Sequence, residues 1–370
     1  MSGEQDMVPE TRVLAIASHV AYGFVGNTMA TYVMQSLGCE VAGINTVHFS
    51  NHTGYRQVKG TKTSAQEIRN LYQGLSQSYL TDFDVLLSGY APSAAAVEAV
   101  GDIAEDLKRR AESKPGSFFW VLDPVMGDLG RLYVSEDVVP AYKKAIRHAD
   151  LILPNQFEAE VLSGVKISTV ADITAAITAI HATYSIPHVI VTSVQLSRLG
   201  SSTPASTLTI IGSTIRSDGT PRLFSVDVPA LNCNFNGTGD MFAALMVARL
   251  REAVFSASSS SSSIEQLKST RSWVSPDDVA PTDLPLATAT EKVLSSMHYV
   301  LERTMEARTA ELAAAEAEAG AEADTGETDE QRQFRKHLRE TKAGEVRLIR
   351  NVHALRNPKV IFRAREWPSS

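Results

Sequence analysis

The chain reads as an α/β protein with a mostly parallel central sheet and helices on both faces. Three observations predict this. Short apolar runs alternate with segments of helical period between Val13 and Thr192, polar residues cluster just after five of those runs, and Gly237-Thr238-Gly239-Asp240 opens an apolar helical run from Met241 to Leu250. Strands that alternate with helices of this length need crossover connections, which set neighbouring strands parallel and cover both faces of the sheet.

In chain order, the run Val13 to Ala17 is followed by a helical segment from Asn27 to Leu37. Val41 to Phe49 precedes the helix Ala65 to Gln77, and Val85 to Leu87 precedes Ala94 to Ala111. Next come Phe118 to Leu122 with Ser135 to Arg147, Leu151 to Leu153 with helical segments at Gln156 to Leu162 and Val170 to Tyr184, and the strand Val189 to Thr192. Ligands of such sheets bind at the carboxyl ends of the strands. Ser18, Gly89-Tyr90, Asp123-Pro124, Pro154-Asn155 and Thr192-Ser193 all lie at those ends and are expected to converge on one crevice.

Past the helix that follows Asp240, residues 256–285 hold a serine run and Pro276, Pro281 and Pro285, the composition of a flexible surface insertion. Residues 286–310 return to helical period through Val293, Met297, Val300, Leu301 and Met305, and are expected to complete a core formed by 11–255. Within an acidic Ala/Glu-rich segment at 311–340, the tract from Glu311 to Glu330 should extend that helix before fraying into solvent. Residues 341–366, apolar from Val346 to Ala364 apart from Asn357-Pro358, are expected to return as a final strand of the core.

Composition narrows the class. Apolar residues are 44% and charged residues 21% of the 370, as in ordinary globular proteins with a large core. The net charge is −7, but residues 311–330 carry eight acids and no Lys or Arg, so the remainder sits near +1 and offers no basic surface for nucleic acid. Cys39 and Cys233 are the two cysteines, which excludes a disulfide framework and suits a reducing compartment. The polar, acidic start MSGEQDMVPE resembles neither a signal nor a transit peptide, and no apolar run is long enough to span a membrane. A cytoplasmic location is expected, with the nucleus left open.

Gly237-Thr238-Gly239-Asp240 places a pliable backbone and one carboxylate at a helix N-terminus. The first N–H groups of a helix lack internal acceptors and carry the positive end of its dipole, so they hold phosphate well. Asp240 is then either a base beside that phosphate or a plain helix cap. No GxxxxGK[ST] motif exists, which removes the P-loop class.

The ordered motifs SHVAYGFVGN (Ser18 to Asn27), FSNHTGY (Phe49 to Tyr55), SGY (Ser88 to Tyr90), DPVMGDLGRLYV (Asp123 to Val134), PNQFEAE (Pro154 to Glu160), VTS (Val191 to Ser193) and GTGD resemble the pyridoxal kinase family of the ribokinase-like superfamily. The resemblance covers residues 11–252 and resumes near Thr290 to Thr304. It implies ATP-dependent phosphorylation of the 5′-hydroxymethyl group of pyridoxal, pyridoxine and pyridoxamine, with Mg²⁺ or another divalent cation, a monovalent cation such as K⁺, and a homodimer.

The residues make chemical sense of that reaction. A primary alcohol is a weak nucleophile, and a carboxylate in hydrogen-bond reach, here Asp240, can take its proton. The N–H groups of Gly237, Thr238 and Gly239 would meet the charge of the transferring phosphoryl group. Asp123, Asn155 and Glu158 supply the hard oxygens that Mg²⁺ prefers, with Asp123 and Glu158 as the metal carboxylates. Asn155 and Glu158 read equally as a capping box, and Asp128 either orients water or metal or caps a turn. By resemblance, Ser18, Val47, His52, Thr53 and Tyr90 form the vitamer pocket, with Tyr90 stacking on the ring. Taken alone, Ser18 could equally cap a turn and His52 be a loop histidine. Thr192, Ser193 and Thr238 match ATP phosphate contacts, and Leu129 to Val134 a lid with Gly127 and Gly130 as hinges and Tyr133 facing the nucleotide.

Two departures stand out. Leu153 precedes PNQFE where many relatives have a threonine tied to the monovalent cation, and Asn236 before GTGD has no assigned role. The alternatives are a hydroxymethylpyrimidine kinase, which would carry a Ser/Gly-rich turn in place of Ser18 to Asn27, and a non-catalytic vitamin B6-binding relative.

Overall fold

A computed structural model describes residues 8–233, 235–255, 267–319 and 328–368. The chain starts with β1 (Arg12–Val20), whose side chains are almost all buried because both faces of this strand are covered. After it come α1 (Gly26–Ser36), β2 (Glu40–Phe49), the short edge strand β3 (Gly60–Lys62), α2 (Ala65–Gln77), β4 (Val85–Ser88), α3 (Ala94–Ala111) and β5 (Phe119–Leu122). A two-stranded hairpin, β6 (Gly127–Asp128) with β7 (Arg131–Leu132), precedes α4 (Val138–Ala145), β8 (Leu151–Ile152), α5 (Gln156–Ser163), α6 (Val170–Tyr184) and β9 (His188–Val194). The rest comprises β10 (Thr207–Ile215), β11 (Pro221–Pro229), α7 (Thr238–Phe255), α8 (Pro285–Ala319), α9 (Asp329–Ala343), α10 (Val352–Arg356) and β12 (Arg365–Glu366).

The ten-stranded sheet runs β12-β11-β10-β9-β8-β5-β4-β1-β2-β3. From β2 to β9 every pair is parallel. The edges β3, β10, β11 and β12 are antiparallel. One face packs on α1, α7 and α8 through Met29, Val33, Met246 and Val293, and the other on α2 to α6 through Ile68, Val97, Tyr142 and Ile177. This is the expected layered α/β architecture. Helix starts follow local chemistry: Ser64 and Thr169 each form a capping box with the acid at N3, Glu67 and Asp172.

The structure departs from the sequence reading in three places besides α9, a separate helix whose His337 bonds the Gly54 carbonyl and which the reading did not foresee. The β10–β11 hairpin was not read, although Asp218-Gly219 between two runs rich in β-branched residues is a hairpin signal. The expected final strand over Val346 to Ala364 is instead a 3-10 turn (Ile349–Asn351), α10 and extended chain, and only Arg365–Glu366 pairs with β11. Asn357-Pro358 explains part of this, since the residue before proline is held away from the helical region and proline lacks the ladder N–H.

Third, the flexible insertion expected over 256–285 does not hold for its second half; 256–266, like 320–327 of the acidic segment, lies outside the described residues. Trp273 is 3% exposed and stacks on Phe119 with ring centroids 4.3 Å apart. The Ser272 hydroxyl donates to Asp150 Oδ1 at 2.6 Å, and Asp150 also accepts from Lys108 Nζ at 2.9 Å and Trp120 N at 2.8 Å. Buried Arg222 donates to the carbonyl of Ser275 at 2.8 Å. The segment therefore seals the amino ends of β5, β8 and β9, and two of its prolines, Pro281 and Pro285, open the 3-10 turn Pro281–Asp283 and α8. Trp273→Ala should cost about 3–5 kcal/mol, the usual range for emptying a buried indole site. Urea unfolding together with KM measurements checks this: a large midpoint loss with unchanged KM values is expected, and near-normal stability would show that the segment is dispensable.

Candidate active site

β1 has β2 on one side and β4 on the other, so the strand order reverses at β1, and crevices form at such points beyond the carboxyl ends of strands. A cleft of about 350 Å³ opens there, lined by Ser18, Tyr90, Asp123, Asn155, Glu158 and Asp240. Asp128, Tyr133, Thr192, Ser193, Asn236, Gly237, Thr238 and Gly239 are also among its walls. All five strand-end clusters named from sequence contribute to it.

Local structure fixes each group. Ser18 sits where the β1–β2 register slips between Ala17 and His19. Asp123 directly follows β5 and its N–H donates to the Ser88 carbonyl at 2.9 Å, while the Thr192 N–H reaches the Pro154 carbonyl at 3.0 Å. Thr46 Oγ1 donates to the Tyr90 carbonyl at 2.7 Å and so fixes the backbone that carries the ring. At the start of α7, Met241 N donates to Gly237 O at 2.9 Å, which makes Gly237 the N-cap and leaves the N–H groups of Thr238, Gly239 and Asp240 without intrahelical acceptors. Gly237 has φ 78°, and a Cβ there would stand 2.2 Å from the Phe24 carbonyl oxygen. Asp240 is thus not the N-cap of its own helix. The backbone N–H of Gly26, at the start of α1, acts on its carboxyl group and favours the charged form.

Three carboxyl groups crowd this end of the sheet. Burial pushes Asp240 up to about 6, against the opposing pull of the Gly26 N–H. Burial also raises Glu158 to about 7, despite backbone N–H donors from Asn155, Met126 and Gly127. Asp123 lies well above the usual carboxylate range, first through burial and then through the charges of Glu158 and Asp240. Glu158 Oε1 accepts from Met126 N at 2.8 Å and Oε2 from Asn155 N at 2.9 Å, while Asn155 Oδ1 accepts Glu158 N at 2.9 Å. The capping-box geometry is therefore present, and the Asn155 amide is further committed to the Gly127 carbonyl at 2.7 Å.

The donor set fits a divalent cation. Asp123 and Glu158 offer hard oxygens whose mutual repulsion a cation would relieve. Among the described residues no three His, Cys, Asp or Glu side chains form a metal cage, and Mg²⁺ asks for none, since it keeps several waters and borrows substrate phosphate oxygens.

The lid segment expected at Leu129 to Val134 is the β6–β7 hairpin and its continuation. Leu129 and Gly130 hold φ 49° and 78°, the paired left-handed conformation of a two-residue hairpin turn. Leu129 and Tyr133 are largely exposed. Gly127, expected as a hinge, serves close packing instead: a Cβ there would lie 2.1 Å from the Arg131 carbonyl oxygen.

A second, more apolar cleft of about 430 Å³ adjoins the first through Asp128, Thr192, Ser193, Thr238 and Gly239. Leu208, Val228, Phe235, Phe242, Leu294 and Leu301 are among its walls, and the sequence reading missed it because β10 and β11 were not recognised. Val47, His52 and Thr53 do not line the main cleft. Val47 is buried in β2, Thr53 is exposed on the 3-10 turn Thr53–Tyr55, and His52 is buried against Glu345, with Nε2 3.0 Å from Oε1. The turn does abut the rim, since a Cβ on Gly54 would stand 3.0 Å from Asn236 Oδ1. Glu345 itself was not foreseen.

A sheet with a helix-start anion site, a carboxylate at its third residue and an adjoining apolar cleft defines a ribokinase-like phosphotransferase. Residues 40–268 match the family model described as phosphomethylpyrimidine kinase. Human pyridoxal kinase is 34% identical over 314 residues, covering 82% of this chain and 89% of that protein. The Bos taurus pyridoxal kinase is 36% identical over 308 residues, covering 81% and 87%. The pyridoxal kinase from Leishmania donovani in complex with ADP and pyridoxamine superposes with a TM-score of 0.72 at 28% identity, covering 97% of this chain and all of that one. The chain belongs to the pyridoxal kinase family.

The raised carboxyl groups carry a pH signature. Folded Glu158 holds its proton up to about 7, above its unfolded value of 4.5, so between those values the folded state binds more protons and stability falls as pH rises. Glu158→Gln should remove that contribution in metal-free protein, leaving a shallower decline between about pH 5 and 8, by on the order of 1–3 kcal/mol. Denaturation at several pH values checks it; identical slopes would show that Glu158 ionises normally.

Proposed function

We infer that this chain is an ATP-dependent vitamin B6 kinase, transferring the γ-phosphoryl group to the 5′-hydroxymethyl group of pyridoxal, pyridoxine and pyridoxamine. The observation that carries the mechanism is Asp240 at the start of α7, facing a cleft shared with Ser18, Tyr90 and Thr238. The curated relatives are named pyridoxal kinases, and the Leishmania donovani enzyme has been solved with ADP and pyridoxamine and with ADP and pyridoxine. No helix among the described residues is long and apolar enough to cross a membrane.

In this reading the vitamer lies between Ser18 and Tyr90, whose ring supplies an aromatic platform. The adenosine moiety takes the apolar cleft, and the polyphosphate passes along Thr192, Ser193 and Thr238 to the start of α7. Asp240 accepts the hydroxymethyl proton as the O–P bond forms and the bond to the β-phosphate oxygen of ATP breaks, leaving ADP. The free N–H groups of α7 hold the charge of the transferring group where water would otherwise reorganise. A divalent ion, Mg²⁺ in this reading, would be held by Asp123 and, through water, by Glu158, and would neutralise phosphate charge. In the same reading Asp128 of the hairpin and Tyr133 just beyond it would cover the phosphates. A monovalent cation such as K⁺, a homodimer and a cytoplasmic location belong to the same reading and rest on the family resemblance.

Tyr90→Ala should raise the Michaelis constant for pyridoxal several-fold, the loss expected of an aromatic stacking partner, and leave that for ATP nearly unchanged. A raised ATP constant alone would place Tyr90 on the nucleotide side. Asp240→Asn should lower kcat by ~10²–10⁴ while equilibrium binding of pyridoxal and Mg-ATP largely survives. Near-normal turnover would remove Asp240 as the base, and parallel losses of melting temperature and activity would make it a structural group. Assaying wild type with the three vitamers and with hydroxymethylpyrimidine tests the substrate class, since preference for the pyrimidine would overturn it.

A further inference from the structure

Glu345 lies just past the end of α9, far from every motif that defines the cleft. Its Oε1 accepts from His52 Nε2 at 3.0 Å and from the Tyr55 hydroxyl at 2.9 Å. The Glu345 side chain is 10% exposed and that of His52 7%. The other carboxylate oxygen packs on Gly23, where φ is 101° and a Cβ would stand 2.7 Å from Oε2. One carboxylate therefore touches both the loop after β1 and the loop after β2.

In the proposed reading Ser18, just before the first loop, lies on the vitamer side of the cleft, and the second loop abuts the rim where Gly54 meets Asn236. The first, residues 21–25, links β1, which carries Ser18, to Gly26 of α1, and the second carries His52, Thr53 and Gly54. They are joined directly by Ala21 N to Phe49 O at 2.8 Å and Tyr22 N to Ser50 O at 3.0 Å, and His337 of α9 bonds the Gly54 carbonyl at 2.8 Å. Among the described residues Glu345 has no Lys or Arg within ion-pair distance. Its charge is answered by donors on the second loop, so opening that loop would leave a buried carboxylate unsatisfied, a costly state.

The contact also decides the chemistry of His52. A carboxylate only accepts, so Nε2 carries the hydrogen, and in the neutral ring Nδ1 is left as an acceptor. Nδ1 is buried and without a partner among the described residues, beside Gly54, the residue that abuts Asn236 at the rim of the cleft.

We propose that Glu345 is a positioning residue of the vitamer pocket, which clamps the loops after β1 and β2 together. The proposal rests on the reading of the chain as a vitamin B6 kinase. It is tested on the full chain with Glu345→Ala, Glu345→Gln and Tyr55→Phe, measuring kcat, both Michaelis constants and thermal melting. Glu345→Ala should raise the pyridoxal constant about tenfold, the effect of losing hydrogen bonds to a charged acceptor, with the ATP constant changed less than about twofold. Glu345→Gln should recover most of the loss, because its single carbonyl oxygen can accept both donors. Tyr55→Phe should move the pyridoxal constant the same way by less, and non-additively with Glu345→Ala. If Glu345→Ala does not fold, the other two variants decide. A fall in melting temperature with an unchanged pyridoxal constant, or equal rises in both constants, would overturn the proposal and leave Glu345 a structural residue. Wild type inactive on every vitamer would instead overturn the functional reading itself.

Discussion

The meeting of the first turns of α1 and α7 at the Asp240 carboxyl group, where the Gly26 N–H opposes the upward pull of burial, is the constraint on which the site depends. Helix N-termini carry partial positive charge, so two of them converge on one carboxylate and on the space in front of it. The approach is possible only for bare backbone. A Cβ on Gly26, with φ 53°, would stand 2.1 Å from the Ser18 carbonyl oxygen, and one on Gly237 would stand 2.2 Å from that of Phe24. Both glycines serve the same closure, which sets Ser18, the α7 donors and Asp240 in a single arrangement. Side chains further out inherit their positions from it.

The electrostatics of the cleft follow from that closure. Asp123, Glu158 and Asp240 share one low-dielectric region, and each is held above its ordinary ionisation range primarily by burial. Glu158 is partly answered by backbone N–H groups, whereas Asp123 has two further carboxylates as charged neighbours. A polyphosphate entering alone would meet repulsion from Asp123 and attraction from the α7 donors. A cation arriving with it reverses the first term and leaves the second intact, the physical reason why a hard divalent ion suits this donor set. The adjoining cleft, walled by residues such as Leu208, Phe242 and Leu294, can take an apolar ring without adding charge.

Much of this was legible in the sequence because strand ends in a parallel sheet must face one side. Ser18, Tyr90, Asp123, Asn155 and Thr192 could be named from periodicity plus that rule, and Gly237 to Asp240 from helix-start chemistry. Helices α2, α3 and α6 were read to their ends, since helical period is a local property; capping boxes at Ser64 and Thr169 start two of them. What escaped depends on distant partners. Nothing near Trp273 announces Phe119, and a proline-rich stretch looks the same whether it is loose or packed. Glu345 bonds a histidine 293 residues away, and its neighbours Gly344 and Val346 suggest only a turn. His52 was placed by resemblance in a pocket whose lining it does not reach, because the closure that buries it comes from the other end of the chain.

Asp123 and Asp150 show how one sheet separates stability from chemistry. Both are aspartates at ends of the central parallel strands, Asp123 just beyond β5 and Asp150 just before β8. Asp150, at the amino ends, receives Trp120 N, Lys108 Nζ and Ser272 Oγ, so its charge is satisfied within the protein and ties the 267–285 segment to the core. Asp123, at the carboxyl ends, faces Glu158 and Asp240 instead. Burying a carboxylate is tolerable when donors are supplied and costly when like charges are. The amino end meets that condition through its own side chains. The carboxyl end does not, and the deficit, a region short of positive charge beside free helix N–H groups, is a complement to a metal-bound phosphate that no internal residue supplies.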